Sequence, residues 1–537
     1  MKKIAQYLNS NLVGEILTTP VVRLNYSRDH SIMRLIPGAV IFPRQISDIR
    51  KVAKLSSQLS EKGKVIGLTA RGRGHSQTGG AIGPDLVIDF NKYLNEVVDI
   101  DADQGLIHVQ AGAEFSKISA LAKSHNLRLP FDASPNQTFG GILGSNNAQL
   151  DLRKIKHLSS AIDQLEVILP NGDAIQTRRL SKREFDKKIG QANAEGELYR
   201  KIDKIIEENT ALINQIDTAR ADNLGYNSIA LVRQDNGSFD LTPLLVGAQG
   251  TLGLVSEAII KLDLVSPHSQ VVAASFLSLD DALDAQEELA KLDPVYCQIY
   301  QASLFTSAME RGKTFSFYEQ AFEYLAQPPA TCLLARFDIK NKHGLRRSAK
   351  KLRDLITKNK GFCVVSEPDT IDQLESIRDL PHMFTDNGKD KQNVALINGV
   401  QVPVFRMRDF IKKLDDISHN LDIDLPYFGS CLDGIINIRT EFNLKSVGDK
   451  QKVFRLLGAI SKLLLDIDGI LCAGEGEGRV KSPFAYQATK SELVNLFEQI
   501  RTAFDPYHIL NPGVKEPIAL KDIVSATVND YYNGIFY

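Results

Sequence analysis

Residues Ala70–Ala81 read ARGRGHSQTGGA. Successive glycines expose backbone N–H groups and permit positive φ, which suits close approach to a pyrophosphate. Taken alone, such a loop is equally an ordinary surface turn. It is not the G-x-G-x-x-G of a dinucleotide fold, because the DLVIDF that follows reads as strand, and no G-K-[ST] follows to make a P-loop. His75 is not needed to hold a phosphate and raises its own question. Two more glycine clusters, FGGILGSNNA at Phe139–Ala148 and GAQGTLG at Gly247–Gly253, stand in the same β-rich stretch. Clusters of this kind in one module point to a ligand threaded among loops.

The surrounding elements must position those loops. AVIFP reads as a strand leading into a helix that starts near Ser47 and Asp48, both good N-cap residues. KVIGLTA is an apolar strand running into the first loop, and GLIHVQAGA is a further strand before a helix over Glu114–His125. AIDQLEVILPNGDAIQT reads as a hairpin turned at Asn171-Gly172. Beyond residue 270, helical stretches at Leu279–Leu292, Leu345–Thr357 and Met407–Leu421 alternate with the strands ATCLLARFDI, ALINGVQVPV and GIINIRT. That pattern predicts an α+β domain with helices on one face of a sheet. Glu492–Phe504 reads as a closing helix before DPYHILNPGV.

Composition bounds the function. The chain has 537 residues, 43% hydrophobic and 24% charged, with net charge −1. A large core and two or three domains are expected. There is no electrostatic footprint for nucleic acid and no apolar run long enough for an integral membrane span. The N-terminus reads as an amphipathic helix rather than a signal peptide. The five cysteines, Cys297, Cys332, Cys363, Cys431 and Cys472, form no C-x-x-C pair. Neither an iron–sulfur cluster nor structural zinc is expected, and a reduced cytoplasmic compartment is.

As a set, the motifs resemble the flavin-binding oxidoreductases of the vanillyl-alcohol oxidase and p-cresol methylhydroxylase superfamily. AVIFPRQISDIRKVAKL is similar to the family's opening strand and helix, RGRGHSQTGGA to its pyrophosphate loop, and PFDASPNQTFGGILGSNNA to its second FAD loop. LEVILPNGD and LLVGAQGTLGLVSEAIIKL resemble later signatures, and FDPYHILNPGV its carboxyl-terminal flavin contact. GELYRKI, RADNLGY and GEGEGRVKSPF bring the likeness nearest to the D-lactate, glycolate and D-2-hydroxyglutarate dehydrogenase group.

The resemblance implies an α+β fold: a p-cresol-methylhydroxylase (PCMH)-type FAD-binding module of two α/β sub-domains, then an α+β substrate or cap domain. The expected segments are a helical 1–30, the FAD-binding domain 31–265, the cap 266–490 and a C-terminal helix with a flavin-contacting tail 491–537. It implies FAD as cofactor. Arg71, Gly72, Arg73, Gly74, His75, Ser76, Gly79 and Gly80 would hold the pyrophosphate. Pro135, Thr138, Gly140, Gly141, Gly144, Ser145 and Asn146 would line the flavin. Ser159, Ser160 and Ala161 would lie near its phosphates or adenosine, and Thr251, Gly253 and Val255 on the adenine side. Asn511 would approach the isoalloxazine ring.

Two departures from the group stand out. His75 occupies a position where the hydroxy-acid group usually has threonine, and where covalent-flavin oxidases carry a histidine bonded to the flavin. It resembles such an anchor; the other reading is a neutral imidazole bonded to a carbonyl. The group's metal motif, with two histidines in G-H-A-G-D-G-x-L-H, reads GSCLDGIIN here, with Ser430 and Asn437 at the histidine positions. The tail AGEGEGRVK loses the third-motif histidine whether aligned on G-E or on G-R-V. Ser, Asn and at most one Glu do not make a zinc site, so no metal is expected. The lost histidine is also the family's proton acceptor. Glu475 leads the replacements, followed by Glu477 and Asp433; on a strand, Glu475 and Glu477 would share a face. Arg439 and Lys481 would clamp a substrate carboxylate.

The expected activity is FAD-dependent hydride transfer from a small polar alcohol, a 2-hydroxy acid first. A covalent-flavin oxidase of a sugar alcohol, lactone or amine is the alternative, and a catalytically degraded flavin-binding protein is a third reading. The partners are a small-molecule substrate and an electron acceptor the sequence does not name. A homodimer is compatible with the resemblance.

Overall fold

The computed structural model describes residues 1–339, 341–383 and 391–528. It divides into two compact units. Among the described residues, the first comprises Met1–Leu150, Lys154–Leu264 and 472–528, and the second comprises Asp151–Arg153 and those of Val265–Leu471. The stretch 472–490, grouped by sequence with the cap, thus folds with the first unit, and it carries Glu475, Glu477 and Lys481.

The first unit holds two sheets. In the four-stranded sheet the order is Glu15–Leu17, Ala39–Phe42, Leu86–Asp89, Leu68–Arg71, and the last three strands run parallel. AVIF and LVID are buried at every position, as parallel strands covered on both faces must be. The helix between the first two parallel strands spans Ile46–Glu61. Asp48 does not cap it. Its buried carboxylate turns back and accepts from the amides of Val13, Gly14 and Arg44 at 2.9, 2.9 and 3.1 Å. The five-stranded antiparallel sheet has the order Ala174–Thr177, Ile162–Ile168, Leu254–Lys261, Leu106–Gln110, Val97–Asp101. Its hairpin turns where Asn171-Gly172 predicts, with Gly172 at φ 84° and Leu169 N donating to Asp173 O.

The second unit is built on a seven-stranded antiparallel sheet, in the order Phe362–Val365, Ser269–Phe276, Thr331–Asp338, Tyr296–Gln301, Tyr427–Ser430, Ile435–Phe442, Gln392–Gln401. Helices Leu279–Ala290, Lys342–Lys358 and Met407–Leu421 lie where periodicity puts them. Helices are not confined to one face. Phe305, Phe317 and Tyr318, from Ser303–Met309 and Ser316–Leu325, pack with Ala273, Tyr300, Cys332 and Leu334, while Leu279–Ala290 and Lys342–Lys358 pack with the same strands through other residues. A sheet this wide and apolar on both faces needs cover on both.

Candidate active site

The first unit contains a cleft of about 990 Å³ walled by the three glycine loops. Arg71, Gly72, Arg73, Gly74, His75, Ser76 and Gly80 come from the first loop. Thr138, Gly140, Gly141, Gly144 and Ser145 come from the second, and Gly253 and Val255 from the third and the strand it feeds. The parallel strand Leu68–Arg71 delivers the first loop to the cleft edge. Thr138 starts the helix Phe139–Ser145, its hydroxyl accepting from Gly141 N at 3.3 Å.

The glycines are required by contact. A Cβ on Gly72 would stand 2.0 Å from Thr138 Oγ1, where the first two loops touch. Gly74 has φ 75°, and a Cβ there would meet the Arg71 guanidinium at 2.2 Å. Arg71 is itself buried, donating to Ala81 O at 3.0 Å beneath the loop. Among the described residues, the amides of Gly72 and Gly74 donate to no protein group. Asn147 Oδ1, in the cleft wall, is buried without a partner. Free amides, an unsatisfied amide oxygen and small residues along a long cleft fit a dinucleotide with a diphosphate and a flat ring.

Glu475 is buried beside this cleft, at 1% exposure. Its Oε1 accepts from Ser76 Oγ at 3.0 Å, Gln77 N at 3.2 Å and Thr78 Oγ1 at 3.2 Å. Burial raises its pKa; the charge of Lys481 and these donors act against the rise. Glu477 faces elsewhere. It pairs with Lys515 at 2.9 Å and accepts from Gly225 N at 3.1 Å and Tyr486 Oη at 2.9 Å. The two glutamates do not share a strand face, because the segment is irregular and turns at Gly478, φ 52°. Lys481 is fully buried and does not line the cleft; burial lowers its pKa against the fields of Cys472, Glu475 and Glu477.

His75 lines the cleft, its ring 4.9 Å from that of His30 and tilted by 43°. Other expected contacts sit behind the wall. Asn511 is buried and ties loops together, its Nδ2 donating to Gly80 O at 2.8 Å and Gln249 O at 2.7 Å. Gly79 O accepts from Arg479 Nη1, and Pro135 O from Ser116 N at 2.9 Å. Asn146 caps its helix at φ 54° and donates to Asn223 Oδ1 at 2.7 Å. Thr251 is buried against Tyr226 Oη at 2.7 Å. Ser159 and Ser160 line a separate cavity of about 1010 Å³ with Arg178 and Arg179, and Ala161 is in the core.

Gln249 was not singled out by sequence, although it stands inside the third glycine loop. It has φ 53°, lines the cleft, and links the loops: Nε2 donates to Thr78 Oγ1 at 3.4 Å and Oε1 accepts from Gly478 N at 3.0 Å.

Asp433 and Arg439 belong to the second unit. Asp433 Oδ1 accepts from Ile435 N at 3.3 Å, and burial raises its pKa. Ser430 Oγ accepts from Leu432 N at 3.3 Å and Asn437 Oδ1 from Gly399 N at 2.8 Å. Among the described residues no group of His, Cys, Asp and Glu is arranged to hold a metal ion. No helix among them is long and apolar enough to cross a membrane.

The fold is similar to 4-ethylphenol oxidase from Gulosibacter chungangensis, with TM-score 0.70 and 12% identity over 97% of this chain and 98% of that one. It is also similar to p-cresol methylhydroxylase, with TM-score 0.64 and 13% identity over 96% of each chain. Residues 37–178 match the FAD binding domain family, and 265–514 match the C-terminal domain of FAD linked oxidases. The chain is 23% identical over 527 residues to D-2-hydroxyglutarate dehydrogenase of Haemophilus influenzae, covering 95% of this chain and 51% of that protein. It thus spans about half the length of the D-2-hydroxyglutarate dehydrogenases it matches. It is 24% identical over 496 residues to the glycolate oxidase subunit GlcD of Bacillus subtilis, covering 91% and 92%. The chain belongs to the FAD-linked oxidases, whose FAD binding domain and C-terminal domain it carries in that order.

Proposed function

We propose that the protein is an FAD-dependent dehydrogenase or oxidase that removes a hydride from a small 2-hydroxy acid. The observation that supports this most is the buried carboxyl of Glu475, bonded to the loop that walls the cleft. FAD, held by the three glycine loops, supplies the hydride acceptor. Glu475 takes the hydroxyl proton. Its raised pKa makes it a stronger base than an exposed carboxylate. Ser76 lines the cleft and touches Oε1, so a hydroxyl path runs from cleft to carboxylate. Lys481 favours the ionised form that accepts the proton.

Purified protein titrated anaerobically with 2-hydroxy acids, sugar alcohols, lactones and amines tests this. Bleaching of the flavin absorbance by 2-hydroxy acids is the expected result. Bleaching by sugar alcohols, lactones or amines alone overturns the substrate class. His75 in the cleft wall favours a second statement about the same site, that the flavin is bonded to this ring. Flavin colour retained in acid-precipitated protein, and lost in His75→Ala, is the expected outcome. Complete release of flavin from the natural protein removes it.

A further inference from the structure

The chain as a whole is electrically balanced, with net charge −1, but one helix of the second unit is not. Lys342–Lys358 reads KHGLRRSAKKLRDLITK, with seven Lys and Arg against the single Asp354. Ala349, Leu352, Leu355 and Ile356 are its buried residues. Lys342, Arg346, Arg347, Lys350, Lys351 and Arg353 are exposed. At about 100° per residue, these six fan over the half of the helix that faces away from the buried side chains.

That arrangement carries a cost. Lys342 and Arg346, Arg346 and Lys350, and Arg347 and Lys351 are like charges four residues apart, and such pairs destabilise a helix. The first turn holds Lys342 and no acidic residue to balance the positive end of the helix dipole. The acidic helix Leu279–Ala290 does not offset the excess. Arg408 takes its Asp280 and Asp284, Lys360 its Asp281 and Lys358 its Glu288. Among the described residues no carboxylate pairs with any of the six cations. They lie along about 17 Å of one helix. A row of cations without counter-ions is a surface for a polyanion.

The chemistry of the face selects its occupant. No large apolar side chain is exposed between residues 342 and 360. Protein–protein interfaces are anchored by such groups, and single-stranded nucleic acid is held by aromatic rings that stack on its bases. Anionic phospholipid headgroups need neither, because they attract Lys and Arg by charge alone, each cation adding its share. The apolar half of the helix is already buried in the second unit, so nothing is left to insert into acyl chains.

We propose that the exposed face of Lys342–Lys358 docks the protein on an anionic phospholipid surface, in a peripheral contact that salt reverses. The proposal goes beyond the proposed function and does not rest on it.

Co-sedimentation of the holoprotein with vesicles tests it. At low ionic strength the protein binds vesicles of equal parts phosphatidylglycerol and phosphatidylcholine, and does not bind vesicles of phosphatidylcholine alone. Salt at about 1 M, where the Debye length is about 3 Å, releases it. Removing three cations together, by Arg346→Gln, Arg347→Gln and Lys350→Gln, weakens binding about a hundredfold. That variant melts no lower than the natural protein, so the loss is not one of folding. The same three-charge loss at exposed positions of the first unit, Lys182→Gln, Arg183→Gln and Lys187→Gln, leaves binding unchanged. No binding to the anionic vesicles, binding that survives high salt, or equal loss in the two variants overturns the proposal. Tighter binding to duplex DNA or to polyglutamate at the same ionic strength overturns the lipid assignment.

Discussion

Glu475 and Glu477 are two residues apart, both fully buried, and placed in different company. Glu477 has a cation at 2.9 Å and a tyrosine hydroxyl at 2.9 Å. Glu475 has the hydroxyls of Ser76 and Thr78 and one backbone amide, with Lys481 acting through its field. The difference teaches that burial alone does not make a carboxylate reactive. One matched by a direct counter-ion is a tie between segments. One that accepts from the hydroxyls of a cleft loop, its pKa raised by burial, keeps a basicity that can be used.

The sharpest break of the comparison is Glu475→Gln. It keeps the shape and loses the base, so flavin content and melting temperature stay near the natural values. The rate of flavin reduction by substrate, read by anaerobic stopped flow, falls about 10²–10⁴-fold. An unchanged rate moves the base elsewhere. Glu477→Gln reverses the pattern. It leaves Lys515 charged and buried without its partner, costing about 3–5 kcal/mol in urea unfolding. A cost as small as a surface substitution's contradicts the tie.

Smaller effects sharpen the picture. Gly72→Ala pushes a methyl into Thr138 Oγ1 and separates the first two loops. Its expected cost is about 1–3 kcal/mol, with reduced flavin occupancy by absorbance ratio. Asp222 probes the ground around Glu477, whose charge helps to raise it. Its pKa is pushed up to about 6, chiefly by burial. The folded state therefore binds this proton more tightly than the unfolded chain does. The resulting stabilisation is complete below the ordinary carboxylate range and is lost as pH rises through about 6. Asp222→Asn should raise stability by about 1–3 kcal/mol at pH 8 and change it little at pH 4.

Much of this was legible in the sequence, for physical reasons. The parallel strands show as unbroken apolar runs, and the hairpin of the antiparallel sheet as Asn-Gly between two alternating segments. The helix Met407–Leu421 shows as a strict 3.6-residue stripe. The glycine loops could be read because close approach leaves room for no side chain. What was not legible depends on which distant groups meet. Asp48 looks like a helix cap, but its partners include Val13 and Gly14, far back in the chain. Asn511 looks like a flavin contact, but its amide is taken by Gly80 and Gln249. Gln249 carries no local signal except its glycine neighbours. The helix Val447–Asp466 escaped because its weakly patterned sequence mixes charged and apolar residues early on.

The closing stretch has a kinetic consequence. Asn511 N donates to Leu68 O, Leu68 N to Ile509 O, and Glu475 reaches Ser76. The loop that begins the cleft is thus held by residues some 400 positions later. During synthesis the ribosome completes the whole second unit before these clasps exist. The first unit must wait in an open form, with its four-stranded sheet and its cleft loops unfastened. Sequence separation of this size predicts slow maturation. Its rate is tied to the arrival of the segment that begins at Cys472 rather than to the sheets that precede it.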